Sequence, residues 1–338
     1  MATQEFDDFS LRSVTTEDAE AVTHVINQFS KVFAGLEDDT ADEVLGFWKT
    51  PGIDLERDIR ALISPSGEML GYAEALAWNE VPVNPYIFQR ILPELVGSPA
   101  QAKLLDWAIE RCKDALARVP AELRVAIGLH AIANIPAQHE LLLSRGFKVT
   151  RHVFEMGVDF AATPPAPTWP EGIELRPFEV ERDLAGVYKA HDEAFSDHFG
   201  HVDEGFEAGL KRFRHLMVEE GSEFDPDLWF IAMHGDEVAG YLVGRKKPHG
   251  EGQLGWISIL GVRRPWRKHG LGLALLQHAF GKFYERGWMR AELDVDAGSL
   301  TGAVRLYERA GMREVRRHDR YEKELRSGKE LMTTDISN

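Results

Sequence analysis

The sequence predicts an α/β protein built from two related halves, each with a mixed sheet and flanking helices. Three observations carry this reading. A Pro-rich break, DFAATPPAPTWPEG, sits near the middle of the 338 residues. Its Pro164, Pro165, Pro167 and Pro170 fix φ and remove amide donors, so neither a helix nor a central strand runs through it. Short matches recur on both sides of the break in one order. Leu11-Arg12 answers Leu175-Arg176 at 164 positions, Gly71-Tyr72 answers Gly240-Tyr241 at 169, Leu104-Leu105 answers Leu275-Leu276 at 171, and Arg145-Gly146-Phe147 answers Ala310-Gly311-Met312 at 165. Lastly, a strand-helix-strand pattern over 253–296 implies a parallel pair joined by a right-handed crossover. The expected organisation is an N-terminal domain at 1–160, a linker at 161–171 and a C-terminal domain at 172–338.

The second half is the more legible. GIELRPF is a short strand, and ERDLAGVYKAHDEAF repeats with helical spacing through Leu184, Val187, Tyr188 and Ala194. A further helix covers about 203–220. LWFIAMH, the turn at Gly235-Asp236 and EVAGYLVGRK form a β-hairpin, and QLGWISILGV is apolar enough for a strand buried on both faces. LGLALLQHAFGKFYERG is a helix with Leu271, Leu275, Ala279 and Phe283 on one face. AELDVD is the next strand, TGAVRLYERAG a helix ending at Gly311, and a last hairpin is expected after it.

Composition excludes several classes. Apolar residues at 44% and charged residues at 28% rule out disordered, collagen-like and coiled-coil chains. With 55 acidic against 39 basic side chains the net charge is −16, a field that repels a phosphate backbone, so nucleic-acid binding is disfavoured. Cys112 is the single cysteine, which excludes an internal disulfide and a thiolate zinc site and fits a reducing compartment. No apolar run reaches membrane-spanning length, and the first residues carry no apolar leader segment, so no membrane partner and a cytoplasmic location are expected.

The segment from Leu260 to Gly272 carries the chemistry. A buried strand running into a glycine-containing loop that opens a helix gathers free backbone N–H groups at one point, with the helix dipole behind them. Gly270 and Gly272 admit close approach of a pyrophosphate, and Arg263, Arg264, Arg267 and Lys268 form a positive island. The expected ligand is a phosphorylated cofactor. An ordinary strand-to-helix turn with a solvated basic face is the bland alternative. The loop is not a P-loop and lacks the three-glycine dinucleotide spacing.

These residues resemble the GCN5-related N-acetyltransferases (GNAT), whose pyrophosphate loop reads Arg/Gln-x-x-Gly-x-Gly/Ala. Arg267, Gly270 and Gly272 match it here, and Leu306-Tyr307-Glu308-Arg309-Ala310-Gly311-Met312 matches the family's late Leu-Tyr-Glu-x-x-Gly-Phe helix. The duplicated plan resembles the tandem members of that family, the mycothiol synthase type among them. The resemblance implies two tandem domains with mixed, mostly antiparallel sheets, acetyl-CoA as cofactor, and a small-molecule amine as acceptor. It assigns cofactor binding to Leu260, Gly261, Val262, Arg267, Lys268, His269, Gly270, Leu271, Gly272 and Leu273. Ser299 replaces the family's asparagine before the last helix.

Attack of an amine on a thioester needs a neutral nucleophile, a donor for the carbonyl oxygen and a proton for the departing thiolate. The resemblance places Tyr307 near the sulfur as general acid. In the mycothiol synthase type a carboxylate lies four residues before the Val-Gly-Val turn, where this chain has Trp256. The same resemblance matches Asp294 to an acceptor-lining position, where it binds a cationic amine or acts as a catalytic residue that deprotonates it through water; the alternative is a paired or solvated strand-edge carboxylate. His191 to Glu204 is dense in His and acid and reads as an acceptor-side lid or a solvated helix end; no metal site is expected.

In the first half the equivalent loop is degraded: Val96 stands opposite Arg267, Pro99 opposite Gly270, Gln101 opposite Gly272, and Leu142 opposite Tyr307. Asn134 remains opposite Ser299. The first half is therefore expected to keep the fold without the chemistry.

Overall fold

The computed structural model describes residues 8–203, 205–219, 224–249, 252–298 and 302–333. The chain divides into two compact units, Met1–His152 with His318–Leu331, and Val153–Arg317 with Met332–Asn338. Among the described residues no helix is long and apolar enough to cross a membrane.

The first unit holds β1 (Ser10–Arg12), α1 (Ala19–Phe33), α2 (Ala41–Trp48), α3 (Leu55–Asp58), β2 (Ile59–Ile63), β3 (Met69–Leu76), β4 (Tyr86–Ile91), α4 (Pro99–Cys112), β5 (Val125–Ile132) and α5 (Pro136–Ser144), and β6 (Lys148–Asp159) begins there. The second holds β7 (Ile173–Pro177), α6 (Val180–Phe195), α7 (Phe206–Val218), β8 (Trp229–His234), β9 (Glu237–His249), β10 (Gly252–Val262), α8 (Leu271–Glu285), β11 (Arg290–Asp296), α9 (Ala303–Arg309) and the start of β12 (Arg313–Arg326). Strand order is β1-β2-β3-β4-β5-β12 in the first unit and β7-β8-β9-β10-β11-β6 in the second. The β4–β5 and β10–β11 pairs are parallel, and the other strand pairs within each of these orders run antiparallel. The mixed, mostly antiparallel α/β class is thus observed.

Two expectations are corrected. The hairpin expected after Gly311 is a single strand, β12, whose residues His318–Arg326 pair with β5. Conversely, Val153–Asp159 of β6 pair with β11. Each half of the chain therefore lends its last strand to the other unit, and the compact units do not coincide with domains at 1–160 and 172–338. Alternation marks a strand but not its partner, and the rule that consecutive strands are neighbours fails here. The Pro-rich segment 161–171 carries no regular element.

Packing in the second unit follows the helical spacing. Leu271, Leu275, Ala279 and Phe283 of α8 are all buried and pack with Ile257, Ala291, Leu293 and Tyr307 on one sheet face. Each contributes roughly 1–3 kcal/mol by leaving water. Leu184, Val187, Tyr188 and Phe213 of α6 and α7 cover Tyr241, Val243 and Ile231 on the other face.

Candidate active site

β10 and β11 separate. Their pairing is confined to Gly255 with Ala291 and Trp256 with Glu292, while β10 stays paired with β9 as far as Val262 with Gly240. A bulge at Ser258 marks the parting. The Arg263 N–H donates to Ala239 of β9 at 3.0 Å, so by strand alternation Val262 and Leu260 turn their backbone groups away from β9, towards the side β11 has left. Gly261 lies between them, close against the Tyr241 ring.

The loop beyond β10 presents amides. Lys268 has φ +67 and Gly270 φ +88, and Lys268 is the one non-glycine residue with positive φ among the described residues. Gly270 caps α8 with no side-chain cap among the described residues, and the first intrahelical bond runs from the Ala274 N–H to the Gly270 carbonyl. Hence the N–H groups of Lys268, His269, Gly270, Leu271, Gly272 and Leu273 have no acceptor among the described residues. Left-handed residues followed by a helix start aim such donors at one locus, a ready anion site. Leu306 of α9 packs on Gly272, where a Cβ would approach its Cδ2 to 3.0 Å.

The positive island is smaller than the sequence suggests. Arg267 donates to Val262 O (3.1 Å), Asp197 (2.8 Å) and Ala194 O (2.8 Å). Arg263 pairs with Glu193 (2.6 Å), and Arg264 donates to Ser196 Oγ. These guanidiniums fasten the loop to the end of α6. Lys268 and His269 are exposed. Asp197 and Glu193 were not singled out from sequence as loop anchors, although both lie in or beside the acidic, His-rich segment.

Tyr307 has its ring buried in the cluster that includes Leu271 and Val295, with Leu260 and Val262 packed against it. Its hydroxyl makes no hydrogen bond among the described residues, and burial pushes its pKa up to about 12. It is thus a firm proton holder beside the opened strands.

On the α6 face, Asp294 is exposed and stands in register with Glu155 of β6, which accepts from Arg316 at 2.7 Å. Glu292 is buried and held by Arg290. Trp256 leaves β10 without a carboxylate at this rung, and Lys247 lies over its ring at 4.7 Å. His191 contacts Tyr241 Oη through Nδ1 (2.6 Å), and burial lowers its pKa to about 4. Ser299 and Glu204 lie outside the described residues.

A family model described as "Acetyltransferase (GNAT) family" matches residues 185–312. A Streptomyces bingchenggensis protein named mycothiol acetyltransferase is 30% identical over 73% of this chain and 75% of its own length. The crystal structure of a GCN5-related N-acetyltransferase from Sphaerobacter thermophilus is 34% identical, covers 97% of this chain and 99% of its own, and superposes with a TM-score of 0.77. The chain belongs to the GCN5-related N-acetyltransferase family. A mycothiol acetyltransferase from Catenulispora acidiphila is 29% identical over 52% of this chain, and the match spans only 55% of that relative's length.

Within this GNAT chain the first unit closes its own loop. Gly97, with φ +79, donates its N–H to Gln101 Oε1 at 2.7 Å, and the Gln101 N–H goes to Ser98 Oγ at 3.3 Å. Pro99 has no N–H to offer. A Cβ on Gly97 would stand 2.6 Å from Ala137 Cβ, so α5 sits directly on the turn. Val96 packs against Phe29, Ile132 and Ile135, and Leu142 is buried. Of the donors that match the free ones of the second unit, the N–H groups of Gly97, Ser98, Gln101 and Ala102 are occupied and Pro99 has none. Elsewhere in this unit Trp48 Nε1 donates to Tyr72 Oη, and Tyr72 donates to Glu74, whose carboxyl burial pushes up to about 8.

Proposed function

We propose that this chain is an acetyl-CoA-dependent N-acetyltransferase acting on a primary amine of a small, cationic molecule by direct attack. The observation that carries it is the set of free amides from Lys268 to Leu273, set beside two parted strands and a buried phenol. These amides would hold the pyrophosphate, and the backbone of Leu260, Gly261 and Val262 would lie along the pantetheine arm like an edge strand. Arg267 serves by fixing the loop. The arm brings a thioester carbonyl within reach of the acceptor amine. Tyr307 protonates the departing thiolate: a phenol with a pKa near 12 is protonated at neutral pH and regains its proton readily. Asp294 faces the acceptor as an anion that favours an ammonium group.

The names of the relatives support a second reading, a cysteinyl amino-sugar acceptor, while Trp256 in place of a carboxylate speaks for a different acceptor or a different base. The test is calorimetric titration with acetyl-CoA followed by thiol release with glucosamine, spermidine and a cysteinyl amino-sugar. Binding of one acetyl-CoA per chain with amine-dependent thiol release supports transfer. Binding with no release from any amine would make the chain an acyl-CoA sensor instead.

A further inference from the structure

We propose that His198 is the general base of this transfer and that Asp197 orients it, an inference that rests on the acetyltransferase reading above. His198 follows α6 directly. Its backbone N–H donates to the Phe195 carbonyl at 2.9 Å, and the centroids of the two rings lie 4.5 Å apart. Its Nε2 stands 4.0 Å from Asp197 Oδ1. That oxygen is buried with no hydrogen-bond partner among the described residues, although Oδ2 of the same carboxylate is held by Arg267. A carboxylate oxygen left unpaired beside an imidazole nitrogen is the open form of the pair that fixes a histidine tautomer and steadies its imidazolium. Such contacts are long before substrate binds and shorten in the complex.

The location suits the role. Four charged or titratable groups act on His198: Asp197, Arg267, Asp296 and His201. Asp296 lies on β11 two residues beyond Asp294 and on the same face, about 7 Å along the strand. The imidazole is therefore within electrostatic reach of the strand that carries Asp294, and its side chain is 39% exposed. Burial is the largest influence on its pKa and, with Arg267 and His201, holds it below the ordinary value against the opposing pull of Asp197 and Asp296. It is neutral at pH 7 and free to accept a proton. His191 is a poorer acceptor, since burial lowers its pKa to about 4.

The proton count closes. The acceptor arrives as an ammonium ion, and His198 takes one proton through a water. The amine lone pair forms the C–N bond to the thioester carbonyl carbon, and the C–S bonding pair leaves with sulfur, which takes the Tyr307 proton. A second nitrogen proton returns to Tyr307 through solvent, and His198 releases its own to bulk water. One proton per turnover is freed.

The test uses the full chain, acetyl-CoA and whichever of the three amines named above the wild type acetylates fastest. His198→Gln should lower kcat by about 100-fold or more at pH 7, bind acetyl-CoA as the wild type does, and lose the acidic limb of the rate profile. Added imidazole should restore part of the rate to His198→Gly. Asp197→Asn should move the acidic limb to lower pH, which loss of structure alone does not do. Turnover of His198→Gln within twofold of wild type, with its acidic limb intact, overturns the proposal. Failure of the transfer reading looks different: the wild type itself binds acetyl-CoA and releases no thiol, which removes the reaction and this role together.

Discussion

Arg267 reaches from the loop before α8 to the carboxylate of Asp197, just beyond α6, and the two are joined by a hydrogen bond of 2.8 Å. The same guanidinium holds the carbonyls of Val262 and Ala194, so one side chain ties the end of β10, the amide loop and the end of α6. The rigid planar fork of a guanidinium reaches all three of these separated acceptors, which the compact ammonium of a lysine does not. Arg267→Lys should weaken acetyl-CoA binding several-fold by calorimetry. It should also lower stability to urea by about 1–3 kcal/mol, the scale of hydrogen bonds to charged groups.

Tyr307→Phe removes the proton and keeps the ring. Turnover should fall more than tenfold while acetyl-CoA affinity, measured by calorimetry, stays within twofold. Because the ring is buried against Leu271 and its hydroxyl has no protein partner among the described residues, thermal stability should change little.

One acetyl-CoA should bind per chain. The first unit spends its loop amides on Gln101 and Ser98. A titration that reaches two equivalents would contradict this. Gly97→Ala should destabilise the chain without altering that stoichiometry, because it combines a left-handed φ with a Cβ 2.6 Å from Ala137.

Glu74 gives a pH dependence of defined sign. Its folded pKa of about 8 lies above the ordinary 4.5, so the folded state holds a proton that the unfolded chain has released. Stability therefore falls as pH rises from about 5 to 8, by a few kcal/mol in order of magnitude. Glu74→Gln keeps an acceptor for Tyr72 and cannot ionise. Its melting temperature should lose less than the wild type's between pH 5 and 8 in a thermal-melt series.

Local signals were legible and long-range ones were not. The spacing of Leu271, Leu275, Ala279 and Phe283 marked α8 and its buried face, and the residues from Leu260 to Gly272 marked a strand-to-helix loop with free amides, because both depend on neighbours a few positions apart. The exchange of β6 and β12 was hidden, since Lys148–Asp159 and Arg313–Arg326 alternate as strands whatever they pair with. The arginines misled for a related reason. Arg263 and Arg267 look like cofactor ligands until Glu193 and Asp197, some 70 positions earlier, are seen to engage them. Distance in sequence conceals partners that the fold brings together.

The crossed ends of β6 and β12 bear on how such a chain could be cut or assembled. Severing the backbone among the prolines at 161–171 would not release two self-sufficient pieces, because each fragment would carry the other's final strand. Expressed singly, each should have an unfilled sheet edge open to aggregation; expressed together, they should reconstitute a nicked protein.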